Sequence, residues 1–279
     1  MERERFEFGR NWASFLKVLD ESRIWEAERS LSEMLGRDRI AGATFLDAGS
    51  GSGLFSLAAV RLGASRVHSF DFDPESVGCT QELRRRYFPT AEHWTIERAS
   101  VLDRAYLDRL GQWDIVYSWG VLHHTGDMWK ALDLVAGLVA PSGRLFIAIY
   151  NDQGPRSRAW TAVKRVYNRS RFGKGAVLAA LVPYNVARGL AVDLLRRKNP
   201  LGRYREYQRT RGMSMTHDWK DWFGGYPFEV AKPEAIFDLF RARGFSLTRL
   251  STSGGGHGCN EFVFTRETPA GNDALKAGA

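Results

Sequence analysis

Short apolar runs at about 43–48, 65–71, 93–98, 113–118 and 143–150 alternate with stretches whose apolar residues recur every three or four positions, as in Leu54 to Leu62. Strands of this length alternating with helices are the signature of a parallel sheet covered on both faces. Farther on, Lys232-Pro233-Glu234 opens a helix through Phe240 that stops near Gly244, and two more strands, Phe245–Leu250 and Asn260–Arg266, flank the glycine-rich turn at 254–258. That connection is too short for a parallel crossover, so the last pair must run antiparallel. The pattern predicts an α/β fold: seven strands, mostly parallel with one reversed, and helices on both faces. Ahead of the sheet, Trp12 to Leu35 carries Phe15, Leu16, Leu19, Ile24, Ala27, Leu31 and Leu35 at helical spacing, with Gly36 as the stop. This stretch is expected to form a cap or lid over the ligand site.

The first strand ends in Phe45-Leu46-Asp47-Ala48-Gly49-Ser50-Gly51-Ser52-Gly53. Three glycines at alternate positions allow a tight turn and let backbone approach a ligand with no Cβ in between. A dinucleotide turn wants G-x-G-x-x-G and a P-loop wants a terminal Gly-Lys-Ser/Thr. This turn is D-x-G-x-G-x-G without a lysine, so phosphate is not the expected guest. Asp71 ends the second strand, 24 positions after Asp47, where a carboxylate accepts both hydroxyls of a ribose. The expected ligand is a nucleoside with a charged tail that is not a phosphate.

These motifs resemble motif I and the acidic loop of class I S-adenosylmethionine-dependent methyltransferases. Trp113-Asp114-Ile115-Val116-Tyr117-Ser118 resembles the family's fourth strand, Gly120 to Thr125 the segment after it, and Ala140-Pro141-Ser142-Gly143-Arg144-Leu145-Phe146-Ile147 its turn into strand five. The likeness extends to bacterial proteins compared with quinone-biosynthesis O-methyltransferases. It implies a Rossmann-like sheet with S-adenosyl-L-methionine as cofactor and S-adenosyl-L-homocysteine as product. It further implies that Gly49, Ser50, Gly51 and Gly53 contact the methionine portion and ribose, that Asp47 anchors the turn or receives the amino group, and that Asp71 binds the ribose beside Phe72 at the adenine. Ser100 and Val101 stand where relatives bind the adenine amine, with Ser100 replacing the usual acid. Ser118 and Trp119 close the sulfonium side. Asp73, ahead of Pro74, reads as an N-cap.

In-line methyl transfer depends on positioning in a dry pocket, and a hydroxyl acceptor also needs a base titrating near neutrality. The candidates for that base are His123, His124, His217 and His257. Adjacent residues point apart, so one of His123 and His124 is expected to be packed structurally. Related quinone enzymes read Glu-His there and use the glutamate on a divalent ion; with His123 in that place no metal is expected. His217 lies in Thr216-His217-Asp218-Trp219, ahead of Trp222-Phe223-Gly224-Gly225-Tyr226. That aromatic run reads either as a satellite core or as an acceptor pocket with Asp218 or Asp221 orienting His217, and Tyr150 and Asn151 are expected to face the same cleft.

The 279 residues suit one large domain with an insertion. Two cysteines, Cys79 and Cys259, offer neither a disulfide framework nor a cysteine-rich metal site, and the charged start lacks a signal-peptide core. A cytoplasmic protein is expected, with attachment at the inner membrane surface as a variant of that reading. The organisation divides into a helical cap (1–40), a cofactor-binding core (41–151), a basic and aromatic lid (152–226), completion of the sheet (227–267) and a tail (268–279). Residues 155–211 contain fifteen Lys or Arg and two acids, a local net of +13 against +8 for the whole chain. Within them, Ala176 to Leu195 is mostly apolar. Arg188 and Asp193 argue against a transmembrane span and for an amphipathic hairpin.

Three readings of the insertion stand open: a lid with a solvated basic face, attachment to anionic membrane, and docking of nucleic acid on interleaved aromatics. The predicted activity is methylation of a small-molecule acceptor, most simply on oxygen, with an anionic, lipid-linked or glycan-type substrate favoured by the lid's charge. The competing predictions are an RNA methyltransferase and a non-catalytic binding protein that keeps the cofactor fold.

Overall fold

The structure, a computed structural model, describes residues 6, 8–195, 223–254 and 258–268. Seven strands form one sheet in the order β3-β2-β1-β4-β5-β7-β6: β1 (Thr44–Ala48), β2 (Arg66–Asp71), β3 (Trp94–Arg98), β4 (Trp113–Trp119), β5 (Val139–Tyr150), β6 (Phe245–Ser251) and β7 (Cys259–Arg266). β1 to β5 pair in parallel, and β7 lies antiparallel to both β5 and β6. This is the predicted seven-stranded α/β sheet with one reversed strand. The order turns back between β1 and β4, the switch point beside which open α/β sheets bind ligands at their carboxyl edge.

Two apolar layers sandwich the sheet. On one face, α2 (Glu21–Leu35), α4 (Leu54–Arg61) and α5 (Pro74–Tyr87) bury Ile24, Leu31, Leu57, Leu83 and their neighbours against Phe45 and Val67. On the other, α6 (Arg104–Leu110), α7 (Met128–Gly137) and α10 (Pro233–Arg241) bury Leu107, Leu132, Val135, Ile236 and Phe240 against Leu46, Val116 and Phe262. A short helix, α3 (Arg37–Ile40), leads into β1.

Three features depart from the sequence expectations. The opening helical stretch is two helices, α1 (Gly9–Phe15) and α2, because Asp20 caps a fresh start by accepting the Arg23 amide. Only α1 lies over the ligand edge; α2 packs behind it on α4, where Glu21 and Glu28 hold Arg61. The turn into strand five is a distortion within β5, which begins at Val139. Ser142 adopts φ 61°, and a Cβ on Gly143 would come within 2.8 Å of the Ala140 carbonyl.

The third departure concerns the insertion. The hairpin is made by α8 (Pro155–Arg169) and α9 (Arg171–Leu195), joined at Ser170, and Pro183 lies inside α9 without ending it. Val177, Leu178, Leu181 and Val182 lie on Trp160, Val163 and Tyr167 of α8, together with Phe223. Phe223 therefore joins a satellite core, with its ring stacked 6.2 Å from Trp160.

Candidate functional site

The glycine turn leaves β1 with Gly49, Gly51 and Gly53 at φ 91°, 55° and 81°, a region in which a side chain is strained. The amides of Gly49 and Ser50 both donate to the Phe70 carbonyl, at 2.8 and 3.1 Å, so the turn is pinned to the end of β2. Close packing adds a second constraint. A Cβ on Gly49 would lie 2.4 Å from Val121 Cγ1, one on Gly53 would lie 2.8 Å from the Thr80 backbone, and one on Gly51 would meet the Trp12 ring at 3.1 Å. The Ser50 hydroxyl bonds Thr80 Oγ1 at 3.0 Å, tying the turn to α5.

Asp71 stands beside the turn at the carboxyl end of β2. Its Oδ2 accepts the Gly51 amide and its Oδ1 the Asp73 amide, each at 2.9 Å. Each oxygen keeps a second lone pair, so the carboxylate is aimed by backbone and still able to accept from a diol. Burial, outweighing those two bonds, pushes its pKa up to about 6, and Asp73 adds to the rise. Phe72 is 44% exposed beside it.

Asp47 is buried beneath the turn, where its carboxyl accepts the Ser56 hydroxyl; that hydroxyl also meets Ser69 Oγ at 2.7 Å. Burial first, opposed by the Ser56 bond and reinforced by Asp71, lifts its pKa to about 7. Asp73 caps α5 by accepting the Glu75 amide at 2.9 Å, and its other oxygen accepts the Gly9 amide at 2.8 Å. Three carboxyls thus gather at the turn with no lysine or arginine paired to them in the described contacts. Such a field opposes a phosphate and favours a ligand carrying positive charge.

The remaining predicted cofactor residues line the neighbouring strand ends. Ser100 Oγ accepts the Leu102 amide at 3.1 Å, shaping the loop after β3, and Val101 is buried beside it. Ser118 is fully buried and donates to the Ala48 carbonyl at 2.7 Å, locking β4 to the end of β1. Trp119 reaches the opposite way: its indole N–H donates to Glu261 at 2.7 Å on β7. Gly49, Ser50, Gly51, Gly53, Asp71, Phe72, Ser100 and Val101 therefore gather along β1 to β3. Asp47 and Ser118 hold the frame from within.

Beyond β4, a single 3-10 turn carries Leu122–His124. His123 is fully buried, its ring centroid 4.2 Å from Tyr150 and 4.4 Å from His124, and neither ring nitrogen has a hydrogen-bond partner among the described residues. Burial holds its pKa well below the usual histidine value, helped by the nearby His124 and Lys164. His124 is half-buried, and its Nδ1 lies 2.6 Å from the Pro227 carbonyl. A carbonyl only accepts, so Nδ1 carries the proton and Nε2 is the basic nitrogen of the neutral ring. His123 is the packed member of the pair. His217 and His257 lie outside the described residues.

The wall around these histidines comes from both ends of the chain. Phe8 packs 5.0 Å from His124, and Phe228 packs 5.0 Å from Tyr150. Lys164, from α8, is only 2% exposed and sets its ammonium 4.7 Å from the Phe228 ring centre. Glu229 accepts the amides of Gly126 and Met128 at 3.0 and 3.2 Å, which holds this segment on the start of α7. The Glu229 amide in turn donates to the His123 carbonyl at 3.0 Å. Asn151 faces β7, accepting from Asn260 at 3.1 Å. Sequence reasoning missed Lys164, Phe8 and the bracing role of Glu229. The one available signal was Phe8-Gly9, an aromatic-glycine pair ahead of the first helix.

Three comparisons bear on this arrangement. A family model described as "Methyltransferase domain" matches residues 19–249. The ubiquinone biosynthesis O-methyltransferase of Xanthomonas euvesicatoria is 32% identical over 139 residues, 50% of this chain and 56% of that protein. The ribosomal protein L11 methyltransferase of Alteromonas mediterranea is 49% identical over 47 residues, 17% of this chain and 16% of that protein. The matched segments thus span at most about half the length of these relatives. Among solved structures, magnesium protoporphyrin IX methyltransferase from Synechocystis PCC 6803 with bound S-adenosylhomocysteine superposes with TM-score 0.52 at 16% identity, covering 88% of this chain and 83% of that one. That likeness is one of fold. An O-methyltransferase family protein from Burkholderia thailandensis superposes with TM-score 0.54 at 13% identity, covering 87% of this chain and 55% of that one. The fold, the glycine turn closed by Asp71 and a model match over residues 19–249 agree, and the chain belongs to the methyltransferase-domain family, the class I enzymes that use S-adenosylmethionine.

Proposed function

We propose that this protein methylates an oxygen of a small, anionic acceptor held against the wall of His124, Tyr150, Phe228 and Lys164. The observation that carries the reading is His124. Its Nδ1 lies 2.6 Å from the Pro227 carbonyl, which sets the tautomer in which Nε2 is the basic nitrogen, the form a general base for a hydroxyl proton needs.

S-adenosylmethionine, when bound, supplies an electrophilic methyl group on a sulfonium. The rest belongs to the chain. Asp71 and the amides of the glycine turn hold the nucleoside end, and the carboxyl-rich turn favours its positive charge. The aromatic wall excludes water and fixes the acceptor's approach. Lys164, buried with its ammonium 4.7 Å from the Phe228 ring centre, brings positive charge to the wall and favours an acceptor with a carboxylate or an ionised hydroxyl. Lipid-linked acceptors such as quinone precursors, and acidic glycans, have this chemistry. The Xanthomonas relative, by its name an O-methyltransferase of ubiquinone biosynthesis, supports the first of these.

The test supplies labelled S-adenosylmethionine to a fractionated cell extract and scores solvent-extractable, small aqueous, nucleic-acid and protein pools. Label in either of the first two supports the proposal. Label confined to nucleic acid or protein overturns it and favours the RNA or protein reading. With an acceptor found, His124→Ala is expected to reduce kcat by about 100-fold or more while cofactor affinity is retained. A normal rate for that variant together with a large loss in His217→Ala would move the base to His217.

A further inference from the structure

Among the described residues, one helix is long and apolar enough to cross a membrane, Arg171–Leu194. It is not arranged to do so. Its inner side is committed to α8 through Val177, Leu178, Leu181 and Val182. A spanning helix would need lipid or another apolar partner all round. The outer side carries Phe172, Pro183, Tyr184, Ala187, Leu190 and Leu194, all exposed. At 3.6 residues per turn, these six fall within an arc of about 120°. Phe172 is 86% exposed, Leu194 79% and Tyr184 61%. Singly exposed apolar residues are ordinary on a protein surface, but a stripe running the length of one helix is not.

The charge around the stripe has one sign. Residues 155–195 contain eight Lys or Arg and a single acid, Asp193. Arg156, Arg158, Arg165 and Arg169 on α8, with Arg171 and Lys174 at the start of α9, are exposed. Arg188 lies about 40° outside the apolar arc, where a long side chain reaches out from the edge of a buried face, whereas Lys174 turns toward α8, its ammonium 5.4 Å from the Tyr167 ring centre. Past the described end of α9 the sequence continues Arg196-Arg197-Lys198. An apolar stripe on an insertion of net positive charge fits a surface that is negative at its rim and apolar below it. A second copy of this chain would set two strips of net positive charge against each other. Nucleic acid would match the cations and leave Phe172, Leu190 and Leu194 with nothing apolar to meet.

We infer that α9 docks this protein on anionic lipid bilayer, lying flat with Phe172, Tyr184, Leu190 and Leu194 in the headgroup–acyl boundary, Arg188 at the edge of the stripe reaching the lipid phosphates, and the net positive charge of the insertion drawing it to the surface. The inference rests on the insertion alone, and it stands or falls separately from the identity of the methyl acceptor.

The full-length protein is sedimented with vesicles of phosphatidylcholine alone and with vesicles in which about a third of the lipid is phosphatidylglycerol. Binding to the anionic vesicles only is expected, weakened by salt. Leu190→Glu with Leu194→Glu, and separately Arg158→Glu with Arg171→Glu, are each expected to lower partitioning about tenfold or more. All four positions are exposed and remote from the glycine turn. S-adenosylhomocysteine affinity should therefore be unchanged in both variants, which reports that each is folded and separates this result from any effect on the cofactor site. Equal recovery in the supernatant with both vesicle types overturns the inference. So does undiminished binding by the leucine variant, which would reduce the stripe to a bystander and leave a purely electrostatic contact of the kind RNA would also make.

Discussion

Trp12 roofs Gly51: the indole Cε2 and Nε1 lie 3.1 Å from where a Cβ on that glycine would stand. The glycine at φ 55° is thus needed twice, once for its backbone and once for the space. Gly51→Ala is expected to weaken S-adenosylhomocysteine binding about tenfold or more, through roughly 1–2 kcal/mol of left-handed strain and displacement of the indole. Trp12→Ala removes the roof but not the turn, so it should weaken binding less. Titration calorimetry on both variants checks the order.

Asp71 should make cofactor binding pH-dependent. Its carboxyl must be ionised to accept two ribose hydroxyls, and burial lifts its pKa to about 6. Affinity should therefore rise as pH rises from 5 to 7 and level off above, with proton release on binding at the acid end. Asp71→Asn should bind more weakly and lose this pH dependence. Calorimetry in two buffers of different ionisation enthalpy measures the released proton directly.

Asp47 makes the opposite contribution to stability. A carboxyl whose folded pKa is raised, here to about 7, holds its proton more tightly folded than unfolded. The associated stability is full below its ordinary pKa near 3.8 and is lost as pH rises through 7. Asp47→Asn cannot ionise and can still accept from Ser56. It should be more stable relative to the parent at pH 8 than at pH 4.5 in urea unfolding, and a difference that does not change with pH would sink the assignment.

Glu229 braces the acceptor wall by capping α7 from about a hundred residues away in sequence. Glu229→Ala should cost about 1–2 kcal/mol, the usual loss for a removed cap. It should also raise KM for the acceptor while sparing cofactor affinity, because Pro227 and Phe228 lose their anchor. Thermal melts and steady-state kinetics separate the two effects.

Apart from β5, which begins four residues ahead of the expected strand, the strands were legible within a residue because short segments of strand length alternate with helical periods, and the glycine turn was legible because its backbone admits little else. What escaped depended on tertiary contacts. Pro183 has the local signature of a break, but α9 runs on because Leu181 and Val182 are held by α8. Asp20 restarts a helix inside one continuous apolar period, so α1 was merged with α2. Lys164 is one of fifteen Lys or Arg in residues 155–211, and nothing in a charge pattern tells which of them turns inward.

The clasp between Glu229 and the amides of Gly126 and Met128 also has a bearing on synthesis. As the chain leaves the ribosome, the residues that gather at the nucleoside side, from Trp12 and Gly51 to Asp71 and Val101, are made before the insertion. Pro227, Phe228 and Glu229 emerge about a hundred residues after the histidines they secure. A nascent or truncated chain ending near Arg169 would possess the glycine turn and Asp71 but neither the carbonyl that sets the His124 tautomer nor the carboxylate that fixes its loop. Fragments of this protein should accordingly gain the capacity to hold a nucleoside well before they gain the capacity to modify anything.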